Sequence, residues 1–142
     1  MANALYDTGR EYFLEGSINW LTTPIRIALV SIANQPTAYV VSLSGDTVYA
    51  SVPTGARVGF SIASLGSKTG AAGVADGADT VFSAVSGPTV GALLILGSTA
   101  TANASNWPLI AYIDTATGLP VGPNGGDITV QWDNGANKIF KL

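Results

Sequence analysis

The sequence predicts a mainly β fold, a small antiparallel barrel or sandwich with one N-terminal helix; a β-tulip-like arrangement is among the forms open to it. Three observations point there. About seven or eight short segments either alternate apolar with polar residues or are rich in β-branched and aromatic ones. Turn formers punctuate the chain closely, with 17 glycines and 7 prolines in 142 residues. A single stretch, Asn3 to Glu15, carries a helical pattern, so there is no alternation of strands and helices.

In chain order, Asn3 stands where an N-cap would and Gly16 where a helix would close. Leu5, Gly9, Tyr12 and Phe13 fall on one stripe of that helix, a small apolar face that must dock on something. Residues 1–20 are therefore assigned as an N-terminal helix or arm, covering the sheet of its own subunit or reaching a neighbour, and residues 21–142 as a single β-rich domain. Pro24 suits a strand entry, and Ile25, Ile27 and Leu29 share one face of the strand that follows. Residues 33–52 read as a long loop with a short element inside, Tyr39-Val40-Val41 being the candidate. Such an excursion is where an interaction surface would sit.

Alternation resumes from Ala56 to Leu65 through Val58, Phe60 and Ile62, and again from Thr80 to Val85. Val90 to Leu96 is apolar on both faces and marks the central strand. Ser98 to Asn106 is small and polar, a surface loop. Leu109 to Asp114 forms the next strand; Ile128, Val130 and Trp132 share one face of another, and Lys138 to Leu142 alternates to the end. With the tight-turn signal Asp133-Asn134-Gly135 between the last two, this third of the chain predicts an antiparallel meander.

Composition narrows the function. There is no cysteine and no histidine, which removes thiolate nucleophiles, Cys/His metal sites and the usual general base. Asp76 and Asp79 around Gly77 loosely evoke a calcium loop but lack its acid/amide run and closing glutamate. Asp114 and Asp127 flank a predicted turn, and their turn positions explain them better than a glycosidase pair does. No enzyme activity, metal or cofactor is expected. A formal charge of −3 offers no basic field for nucleic acid. No apolar run approaches the roughly 18 residues of a membrane span, and no apolar leader core opens the chain, so the protein is expected to remain where it is made.

Charged residues are only 11% of the chain, against about 25% in an average soluble domain. A monomer of this size exposes roughly 6,800 Å², or about one charge per 450 Å². Together with a mean hydropathy of +0.36, that sparse surface suggests cover in an assembly. Trp132 has the phase of a core residue and Trp20 sits where the helix meets the first strand, so both are expected to pack in the core, whereas Trp107, after a polar loop and before Pro108, is expected to be exposed.

Five segments, MANALYDTGREYFLEGSINW (1–20), IRIALV (25–30), PTGARV (53–58), GVADGADTVF (73–82) and PLIAYIDTATGLPVGPNGGDITVQWDNGANKIFKL (108–142), together resemble a family of small structural proteins of tailed bacteriophages. Residues 33–50 depart from the pattern. Members of the family are similar to capsid decoration, or cement, proteins on the outer face of the head. The resemblance implies a non-enzymatic protein, made in the host cytoplasm, that binds the major capsid protein and itself, as a trimer or a dimer. On that footing the segment through Trp20 and the loop 34–52 are expected to make the contacts, with Leu5, Tyr6, Tyr12, Phe13, Trp20, Tyr39 and Trp107 as candidate contact residues. The alternative is a tail or fibre component whose β-domain recognises a host glycan through Trp107 and the 98–106 loop.

Overall fold

A computed structural model describes residues 3–33, 37–60, 64–99 and 103–142, with the backbone alone for Phe60. Three strands with apolar residues in both phases form the centre: β2 (Ile25–Val30), β6 (Ala92–Gly97) and β7 (Leu109–Ile113). Because side chains alternate across a strand, such sequences need cover on both faces of the sheet. They are flanked by β1 (Ala4–Leu5) and β3 (Arg57–Phe60) in an antiparallel sheet of order β1-β7-β6-β2-β3. As the sequence predicts, the strand starting at Ala92 is the middle one. The sheet ends on two edges and is not closed, so the molecule is a small mainly β sandwich and not a barrel.

Each face carries its own core. Ile25, Ile27, Leu29, Leu93 and Ile95 belong to one, joined by Ile18, Trp20, Phe82, Val130 and Ile139. Two short antiparallel ribbons contribute to that side: β4 (Val74–Ala75) with β9 (Phe140–Lys141), and β5 (Thr80–Phe82) with β8 (Ile128–Val130). Ala28, Val30, Ala92, Leu94 and Leu96 form the other core, covered by Tyr6, Tyr39, Tyr49, Val52 and Trp107. The excursion 37–56 thus acts as a lid of irregular chain on the second face. Tyr39-Val40-Val41 is not a strand; the element inside the loop is a 3-10 turn at Tyr49–Ser51, tied to the sheet by a bridge between Val48 and Pro108. Residues 34–36 of this excursion, 61–63 of the strand expected to reach Leu65, and 100–102 of the polar loop lie outside the described residues.

The helix α1 (Asp7–Leu14) is shorter than the pattern suggested. Asn3 is not its N-cap. The Asn3 carboxamide oxygen accepts from the backbone N–H groups of Asp114 (3.0 Å) and Thr115 (3.2 Å) and from the Thr115 hydroxyl (2.9 Å). That anchor holds Ala4–Leu5 extended against Tyr112 and Ala111, and the Tyr6 N–H then donates to Ile110 O at 2.9 Å before the helix turns. Gly16 does close the helix, with φ +74°. The predicted meander is also corrected. β7, β8 and β9 follow one another in sequence, yet each pairs elsewhere: β7 with β6 and β1, β8 with β5, β9 with β4. The segment 114–127 leaves the large sheet, crosses to bridge Val90 through Val121, and delivers β8 to a different partner. Asp133-Asn134-Gly135 therefore joins two ribbons and is not a hairpin turn.

Candidate functional site

Among the described residues no group of three or more carboxylate, imidazole or thiol side chains is arranged to hold a metal ion. The carboxylates singled out in the sequence have structural partners. Asp76 meets the Lys138 ammonium at 2.6 Å, a hydrogen bond that holds its carboxyl below the usual carboxylate range. Asp79 accepts from the Trp132 N–H at 3.1 Å, and Asp127 from the Ala84 N–H at 3.0 Å. Each of these carboxylates joins two chain segments, as a turn residue does.

A buried polar network lies under the 37–56 excursion. The Tyr39 hydroxyl donates to the Asp46 carboxylate at 2.7 Å and sits 2.7 Å from the Tyr6 hydroxyl. A phenol has one proton, so Tyr6 donates to Tyr39 and the chain ends on the carboxylate. Asp46 also accepts from the Ser42 N–H at 2.8 Å. Burial, and then hydrogen bonding to Tyr6 and Asp46, pushes the Tyr39 hydroxyl far above the ordinary phenol range; burial pushes Tyr6 up as well. Nearby, burial raises Tyr112 to about 12, with the Asp114 charge adding to it. The bonded Tyr6 and Tyr39 hydroxyls and the Asp46 carboxylate tie the excursion to the N-terminal segment.

The candidate contact residues do not come together on one surface. Tyr6, Trp20 and Tyr39 are buried within their own chain. Trp20 packs edge-on against Phe140 and its indole N–H donates to Thr69 O at 2.9 Å. Trp107, expected outside, is only 7% exposed: it joins the second core, and the Arg26 guanidinium lies over its ring at 5.7 Å. Leu5, Tyr12 and Phe13 are half-buried on the first core, with Phe13 6.1 Å from Phe140. The N-terminal segment is thus part of its own subunit's body, docked on β7, and not a free arm.

The residues left outward are ones the aromatic pattern passes over. Among the described residues six large apolar side chains are exposed, and four belong to or border the two segments expected to make contacts: Leu14 (89%), Leu21 (55%), Ile32 (40%) and Val40 (82%). Leu14 was legible as the apolar helix residue off the Leu5, Gly9, Tyr12 and Phe13 stripe. Val40 was not, since its neighbours Tyr39 and Val41 alternate with it in either phase. The second surface feature is an open groove of about 930 Å³ between β1 and the free sides of β8 and β9, with Trp132 in its wall.

No known protein family matches the chain, and no curated protein is significantly similar to it.

Proposed function

We propose that this chain is a bacteriophage capsid decoration protein: a non-enzymatic subunit that binds the outer face of the assembled head, touching the major capsid protein and further copies of itself. The observation that carries the reading is that four apolar side chains, Leu14, Leu21, Ile32 and Val40, are left in water within or next to the two segments expected to make contacts. Fifteen charged residues on 7008 Å² of surface leave ample uncharged area to bury against a lattice. A protein that binds only the assembled lattice stabilises it by mass action, and a modest contact repeated over many sites multiplies. A three-fold cluster around lattice axes fits such a role, with a dimer as the competing arrangement.

Because β1 and α1 are built into the sheet, removing the N-terminus would damage the fold and would not isolate a contact. The informative variants are Leu14→Lys and Val40→Lys in the full chain. Purified protein added to heads that lack it should co-sediment with them and raise their heat resistance, and the double variant should do neither while keeping its own melting temperature. Undiminished occupancy by the double variant would remove these residues from the interface. The tail or fibre reading loses its anchor in Trp107, which is buried.

A further inference from the structure

The geometry points to the groove beside Trp132 as a binding site for a neutral oligosaccharide. Trp132 packs partly buried against the first core, and the residue is held at both ends: its backbone N–H donates to Asp79 at 3.1 Å and its indole N–H to Ala78 O at 3.0 Å. A half-buried aromatic plane fixed in this way offers a platform for the apolar face of a sugar ring at little ordering cost. Thr129, Gln131 and Asn137 line the same groove and are exposed, and each ends in groups able to exchange hydrogen bonds with hydroxyls. The free side of β8 adds backbone donors and acceptors along the wall.

Charge argues for a neutral ligand. Arg10, Lys138 and Lys141 line the groove, but Arg10 is paired with Asp7 at 3.0 Å, Lys138 with Asp76 at 2.6 Å, and Asp133 lies on the same wall. The local balance is close to zero, so neither a phosphate chain nor an acidic peptide is favoured. A volume of about 930 Å³ is at the upper end of ordinary ligand sites and suits several sugar rings in a row.

The site is tested on the full chain in solution, with no capsid present, so its failure is separate from that of the decoration role. An array of purified bacterial surface polysaccharides identifies a binding glycan, and amide and indole shifts on titration with a neutral hexamer of it map the site. Expected are shifts at Thr129, Gln131, Trp132 and Asn137, with affinity falling about tenfold or more in Trp132→Ala, the loss of one stacked ring. Gln131→Ala with Asn137→Ala, both at exposed positions, should weaken binding severalfold with the melting temperature unchanged, whatever Trp132→Ala does to the fold. Absence of binding across the array, binding only to charged glycans, or shifts that map outside the groove and survive the double variant would each overturn the proposal.

Discussion

Gly9 of the helix lies so close to β7 that a Cβ built on it would stand 2.7 Å from both the Cα and the carbonyl oxygen of Ile110. Backbone cannot yield there as a flexible side chain would, and Ile110 is itself fully buried. Gly9→Ala would gain about 1 kcal/mol of helix propensity and lose about 1–3 kcal/mol or more to overpacking. The net expectation is destabilisation, read as a lower denaturant midpoint with an unchanged slope. A rise in stability would mean that the helix does not dock as described.

The Tyr39 hydroxyl bridges Tyr6 and Asp46 in a buried site. Tyr39→Phe keeps the ring and leaves a phenol donor and a carboxylate without their shared partner. A loss of about 1–3 kcal/mol is expected from equilibrium unfolding. A neutral outcome would show that water replaces the hydroxyl.

The same network sets an alkaline limit. Tyr6, Tyr39 and Tyr112 all have their hydroxyls raised by burial, Tyr112 to about 12, whereas an unfolded tyrosine titrates near 10. A group with a raised folded-state value binds its proton more tightly when folded, so its stabilisation is complete below about pH 10 and is lost above it as the unfolded chain ionises first. Melting temperature should fall between about pH 10 and pH 12, and less steeply in Tyr39→Phe. A flat profile over that range would contradict the burial of these phenols.

Two leucines separate core from surface. Leu94 is fully buried on the central strand and Leu14 is 89% exposed at the helix end. Leu94→Ala should cost about 2–5 kcal/mol, and Leu14→Ala should stay within about 0.5 kcal/mol. Comparable losses at both sites would mean that Leu14 is covered in the soluble protein, as in a stable oligomer.

The strands that the sequence shows most plainly, Ile25–Val30, Ala92–Gly97 and Leu109–Ile113, are those buried on both faces, where burial dictates residue type at every position but the half-buried Arg26. Pairing was less legible. Asp133-Asn134-Gly135 carries a strong local turn signal, but which strands flank it in space depends on contacts such as Val90 with Val121, far apart in sequence. Asn3 is a good N-cap by type, and only its bonds to Asp114 and Thr115 turn it into a strand anchor. Trp107 looked exposed because Arg26, which covers it, is distant in sequence. In the two segments expected to make contacts, Tyr6, Trp20 and Tyr39 turn inward to the two cores, and Leu14 and Val40 stay outside.

The most direct measurement is the location of the chain on intact particles, by imaging virions that carry a labelled copy and by comparing particles without it. The decoration role predicts even labelling of the outer head surface and heads that break at lower temperature in its absence. Label confined to the tail, or heads of equal heat resistance with and without the protein, would contradict it.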